Sequence, residues 1–92
     1  GAYMIVLKYT FLDELGRVPS LDEVRVELFV RYSDAYARIT DIAKEWFTKN
    51  NMVISFSDTE ELSEILLDLA DDGIPSIDFD ISKVEVPAVK AD

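Results

Sequence analysis

The chain has 92 residues, a hydrophobic share of 49%, no cysteine, no histidine and a formal net charge of −10 at pH 7. This length and apolar content predict one globular domain over residues 1–92 and exclude a disordered chain. The lack of cysteine excludes disulfides and thiolate metal sites, and the lack of histidine removes the most frequent general base and nitrogen ligand.

The negative charge lies mainly in the second half of the chain. Residues 1–49 hold eight acids and seven bases, whereas residues 50–92 hold eleven acids and two bases. Such a field repels phosphates and anionic lipid headgroups, so we expect no direct binding of nucleic acid or membrane and favour a basic partner. The longest apolar run, residues 3–7, is too short for a bilayer span or a signal peptide. Together with the absence of cysteine, this predicts a cytoplasmic protein.

Two strands are predicted in the first third of the chain. Residues 3–12 are rich in β-branched and aromatic side chains on both faces, which is typical of a well-covered strand. Residues 13–23, with Gly16 and Pro19, are predicted to form a loop. The second strand alternates apolar and polar residues, and Phe29 stands alone on its polar face, where we expect another element to cover it. Its predicted buried face consists of Val24, Val26, Leu28, Val30 and Tyr32.

Two helices and a short strand are predicted in the middle of the chain. From Ser33 onward, apolar residues recur at spacings of three and four, as an amphipathic helix requires. Residues 52–56 then indicate a short interior strand. Ser57 and Glu60 have the spacing of a capping box, which starts a second helix that ends at Gly73.

Residues 77–81 alternate again and predict the last strand, with a bulge or corner at residues 82–83 because the apolar parity slips before Val84. The resulting order, β-β-α-β-α-β, predicts an α+β fold. We expect a two-layer sandwich in which two helices pack on one face of a four-stranded mixed or antiparallel sheet. Residues 1–2 resemble a cloning remnant, and residues 87–92 are expected to form a flexible tail.

No pattern in the sequence indicates catalysis or a cofactor. The three glycines lie too far apart to form a phosphate-binding loop. A calcium loop beginning at Asp68 has Ala70 and Phe79 at positions where oxygen ligands are needed. We therefore predict a non-enzymatic protein with no metal and no cofactor.

Aromatic residues of the first two strands form a candidate stacking surface. Proteins that stack bases also provide a positive groove, and the sequence shows no concentrated positive patch. Core packing is therefore the expected role of Tyr3, Tyr9, Phe11, Phe29 and Tyr32.

The second helix carries a continuous acidic stripe. Its like charges repel one another at spacings of three and four, and those near the C-terminus oppose the helix dipole. Two explanations remain open, a solvated face that maintains solubility and a surface that binds a basic partner. The candidate partner-binding residues are Glu61, Glu64, Asp68, Asp71 and Asp72 on the helix, with Asp78 and Asp80 on the last strand.

The leading hypothesis is a non-enzymatic, acidic protein-interaction module that docks on a basic protein surface. If that surface belongs to a nucleic-acid-binding protein, the carboxylates replace phosphates, as in an inhibitor or nucleic-acid mimic. The alternative is a small regulatory or ligand-binding domain that acts as a homodimer through an exposed sheet face or edge.

Overall fold

The computed structural model describes residues 2–12 and 23–87. Its elements are β1 (Ala2–Leu12), β2 (Arg25–Phe29), α1 (Tyr32–Lys49), α2 (Thr59–Asp71) and β3 (Ser76–Val86). The strands form a three-stranded antiparallel sheet in the order β2-β1-β3, so the N-terminal strand lies in the centre. Both helices pack on one face of this sheet, which gives a two-layer α+β fold.

The prediction of a four-stranded sheet in the order β-β-α-β-α-β is wrong, because the described residues form three strands in the order β-β-α-α-β. The difference lies in residues 52–56, which belong to no strand and connect α1 to α2. Met52, Ile54 and Phe56 pack against the core, and Val53 is fully exposed. An extended connector lying on a core has the same period of two as a strand, so periodicity cannot distinguish them.

The core lies between the sheet and the two helices. Leu7 of β1, Ile39 of α1 and Leu62 of α2 are completely buried. Tyr9 and Ile77 join the same buried cluster from the central strand and β3. One continuous core therefore holds the three strands and the two helices together.

The predicted buried face of the second strand points away from this core. The pairing of Leu7 with Glu27 and of Ile5 with Phe29 turns Glu27 and Phe29 toward the helices. Phe29 is packed against the core, as predicted. The predicted buried residues are exposed instead: Val24 36%, Val26 54%, Leu28 60%, Val30 78% and Tyr32 41%.

Alternation in the sequence shows which residues share a face of a strand. It does not show which of the two faces another layer covers. Here the register against β1 decides the question, because the helices cover the face that carries Leu7. The buried-face prediction for the second strand is therefore wrong.

Strand β3 runs without the bulge predicted at residues 82–83. Its register against β1 is constant from Ser76, opposite Leu12, to Val86, opposite Ala2. The apolar residues change face instead, because Ile81 packs toward the helices whereas Val84 lies on the other side. Tyr3, on the helix side of β1, is 52% exposed, so the helix layer does not reach this end of the sheet.

Local hydrogen bonds define the ends of α2. Asp58 is the N-cap, and its carboxylate accepts from the Glu61 amide at 2.8 Å. The predicted capping box at Ser57 and Glu60 is therefore wrong, because the N-cap lies one residue later, and the Ser57 hydroxyl donates to Glu61 Oε2 at 3.1 Å. Gly73, with φ of 72°, follows the helix at the left-handed position that glycine favours.

Some predictions fall on residues outside the described ranges. These include most of the loop predicted at residues 13–23 and most of the tail predicted at residues 87–92. Ala2, assigned to a cloning remnant, begins β1. Neither of the two described helices combines the length and hydropathy needed to cross a membrane.

Candidate functional site

The outer side of α2 carries the predicted acidic stripe. Leu62 and Leu66 turn one side of the helix into the core, so residues on the opposite side face solvent. All five acids of the stripe are exposed. We call this surface the acidic helix face, and it consists of Glu61, Glu64, Asp68, Asp71 and Asp72.

The charge of the acidic helix face is not balanced by ion pairs among the described residues. The last turn of α2 contains no basic residue. The ion pairs in the described ranges join Arg31 to Asp34 and Arg38 to Glu27, and neither involves α2. All five carboxylates are therefore exposed without a cationic partner in these ranges, and the Glu61 carboxylate accepts a hydrogen bond from Ser57.

Asp78 and Asp80 do not belong to this surface. On β3 they alternate with Ile77, Phe79 and Ile81, which pack toward the helices. Asp78 and Asp80 therefore project from the opposite side of the sheet. The seven predicted site residues therefore lie on two surfaces. Five are on the solvent side of α2, and two are on the side of the sheet away from the helices.

The carboxylates do not converge on a metal position. Within residues 2–12 and 23–87, no group of three acids is close enough to hold a metal ion. On the outer side of a helix, neighbouring side chains diverge into solvent, so close spacing in sequence does not produce a chelating cage.

A polar network on the helix side of the sheet joins β1, β2 and α1. The Tyr9 hydroxyl donates to Glu27 Oε2 at 2.8 Å, and Arg38 donates to both Glu27 oxygens at 2.9 and 3.3 Å. The hydrogen bonds from Arg38 lower the pKa of Glu27, whereas burial and the bond to Glu27 raise the pKa of Tyr9. Each charge has a partner inside the network. We therefore assign the network a structural role, which is to attach α1 to the edge strand β2.

A cleft of about 400 Å³ lies beside this network, between α1 and the β1-β2 pair. The Phe11 and Trp46 rings line it, with ring centroids 4.4 Å apart. The Trp46 Nε1 atom is buried and has no hydrogen-bond partner in the described structure. The charged residues that line the cleft are Arg25, Arg38, Glu45 and Lys49.

Sequence reasoning missed this cleft because its cations lie far apart in the chain and meet only after folding. One local signal was present, since Arg38, Ile42, Glu45 and Lys49 follow the spacing of one helix face. Tyr9 and Phe11 line the cleft beside these cations, but Arg38 is paired with Glu27 and the acid Glu45 also lines the cleft, so the aromatic residues do not lie in a concentrated positive patch here.

The side of the sheet away from the helices is apolar over much of its length. Val6 lies opposite Leu28, and Met4 lies opposite Val84, so apolar side chains from all three strands are neighbours. Leu28 is 60% exposed and Val26 is 54% exposed. We call this surface the open face, and it consists of Met4, Val6, Val26, Leu28, Val84 and Val86.

The molecule therefore presents two distinct candidate interaction surfaces on opposite sides. The acidic helix face was predicted from the sequence, and the open face was not, because Val26 and Leu28 were assigned to the buried face of the second strand. Comparison with protein-family models, curated proteins and solved structures finds no significant match to this chain.

Proposed function

We propose that this protein is a non-enzymatic interaction module that docks through its acidic helix face on a basic surface of a partner protein. The observation that supports the proposal is the unbalanced charge of α2, which presents five exposed acids and no base. A partner that supplies Lys or Arg side chains would form charge-assisted hydrogen bonds with these carboxylates.

The position of the acids along α2 supports recognition more than solubility. Asp68, Asp71 and the C-cap Asp72 lie at the helix C-terminus, where the dipole is negative. Each acid there lowers helix stability by about 0.3–1 kcal/mol, whereas an acid in the first turn would raise it. Solubility needs only surface charge, so it gives no reason to place acids where they destabilise the helix.

The spacing of the acids suits an extended basic surface. The helix is about 20 Å long, and successive acids on one side rise by roughly 4.5–6 Å along its axis. A groove that binds a nucleic-acid strand presents cations along such a line, and the carboxylates would then stand in for phosphates. An inhibitor of a nucleic-acid-binding protein is the form of the proposal that uses this arrangement best.

The test compares two charge reversals of equal size on opposite sides of the molecule. The partner is captured from native lysate at low salt, identified, and titrated with purified protein. The variant Glu64→Lys/Asp68→Lys is expected to weaken binding at least tenfold, and salt of about 0.5 M is expected to weaken wild-type binding because it shortens the screening length.

The matched control is Asp78→Lys/Asp80→Lys, which changes the net charge by the same amount on the other side of the sheet. We expect it to retain most of the affinity. Equal losses in the two variants would show that only net charge matters, and unchanged binding in the helix variant would contradict the proposal.

A further inference from the structure

The open face is an apolar surface that no helix or strand of residues 2–12 and 23–87 covers. Val26, Leu28 and Val84 are 54%, 60% and 46% exposed, and Met4 and Val6 lie between them on the central strand. Single exposed apolar residues are ordinary on protein surfaces. Here they are cross-strand neighbours and form one patch, and contiguous patches of this kind mark interaction sites.

The charge of the open face indicates a different kind of partner from the basic partner proposed for α2. The charged residues among its described neighbours are Lys8, Asp78 and Asp80, and Lys8 lies directly opposite Asp80. This face is therefore close to neutral and mixed in sign, unlike the acidic helix face. A strongly basic partner would gain little there, whereas another apolar and nearly neutral face would match it.

We propose that the open face binds a second copy of this chain, so that two sheets pack face to face in a symmetric homodimer. A two-fold interface brings the same patch of each copy together, and this patch is complementary to itself because it is apolar in the middle and its charged residues lie at one end, at the rim of the overlap. The pairing requires no contribution from α2, so this proposal does not depend on the proposed function.

Repulsion between two acidic chains does not prevent this arrangement. Face-to-face sheets lie about 10 Å apart, and each helix layer adds about 10 Å on the outside. The two acidic helix faces are then roughly 40 Å apart, which is well beyond the screening length of about 8 Å at physiological ionic strength. Most of the net charge therefore points away from the interface.

The geometry of the patch indicates how the copies are arranged. A two-fold axis that crosses the strands between Met4 and Val6 places β1 on β1 and β2 on β2, in opposite directions. Leu28 of one copy then lies over the exposed Val30 that follows β2 in the other copy, and Lys8 and Asp80 lie at the rim. Sheets packed face to face tolerate such an alignment within about 30°.

The size of the open face predicts a weak dimer. Strand spacing and rise give a flat footprint of roughly 400 Å² per copy, and interfaces of this size belong to the small, transient class. We expect dissociation in the micromolar range, so the oligomeric state should change with protein concentration.

Sedimentation equilibrium from about 1 µM to 1 mM tests the proposal. Wild type should pass from monomer to dimer, and Leu28→Lys should raise the dissociation constant at least tenfold by placing a charge in the interface. The matched control is Leu67→Lys on α2, because Leu67 is 65% exposed, which is close to the 60% of Leu28. Circular dichroism checks that both variants fold, as expected for exposed positions.

A crosslink provides a second readout. Because the chain has no cysteine, Leu28→Cys and Leu67→Cys each introduce one unique thiol. A short bismaleimide should link two copies through position 28 and not through position 67. A strict monomer at 1 mM, a dimer unaffected by Leu28→Lys, or equal crosslinking at the two positions would overturn the proposal.

Discussion

The two faces of the sheet have similar chemistry and different surroundings. On the covered face, Leu7 is completely buried and Tyr9 is 6% exposed, whereas on the open face Val26 and Leu28 are more than half exposed. Both faces are built from the same strands, and both are rich in aliphatic side chains. The difference arises from the helices, which cover only one of them. An apolar strand face is therefore not a core until another layer covers it.

The largest difference between the two faces is expected when leucine is replaced by alanine on each of them. Leu7→Ala should lower the free energy of unfolding by about 3 kcal/mol, because it removes buried methyl groups and leaves a cavity. Leu28→Ala should change it by less than about 1 kcal/mol, because the side chain is already hydrated. Urea denaturation at low micromolar concentration measures both values for the monomer. A similar loss in the two variants would show that the open face is covered within one chain.

An intermediate effect is expected at Glu27, a charged residue on the covered face. Glu27→Gln should lower the free energy of unfolding at pH 7 by about 1 kcal/mol, because the hydrogen bonds from Arg38 are made to a charged, half-buried acceptor. Since folding lowers the pKa of Glu27, this contribution is present above the ordinary range of a carboxyl group. It is lost as the pH falls through the pKa of the folded state.

Urea denaturation of wild type and Glu27→Gln between pH 7 and pH 3 measures this effect. The gap between the two proteins should narrow at the acid end, with Glu85→Gln as the control for a general loss of negative charge. A gap that stays constant over the whole range would contradict the role given to the network.

The smallest effect is expected from the charged residues on the side of the sheet away from the helices. Lys8 and Asp80 are cross-strand neighbours on the solvent side, and such pairs contribute roughly 0.2–1 kcal/mol. A double-mutant cycle with Lys8→Gln and Asp80→Asn should give a coupling of a few tenths of a kcal/mol at low salt. Because both residues are exposed, about 1 M salt should remove the coupling. A coupling that persists would indicate that another chain shields this pair.

Local patterns predicted much of the fold. The helix expected from Ser33 begins at Tyr32, and the strand expected at residues 3–12 spans Ala2–Leu12. These agreements follow from hydrophobic periodicity, which depends on residues only a few positions apart. The prediction of a strand at residues 52–56 is wrong because this connector packs like a strand but does not make the hydrogen bonds of one.

The candidate site was predicted only in part. The exposure of the α2 acids follows from the position of Leu62 and Leu66 on the same helix, so the sequence was sufficient there. The position of Asp78 and Asp80 on the other side of the sheet from those acids could not be derived in this way, because it depends on the orientation of β3 relative to α2. The open face was overlooked for the same reason, since alternation in β2 does not show on which side the helices lie.

By itself, the sequence determined the α+β class of the fold, the positions of the helices and of the first and last strands along the chain, and the exposure of the acidic helix face. Each of these depends on residues within a few positions of one another. Tertiary structure alone decided the number of strands, the separation of Asp78 and Asp80 from the helix acids, and which face of the sheet became the core. Those outcomes depend on the register of β1 against β2 and β3 and on where the helices pack, and both are contacts between residues distant in the chain.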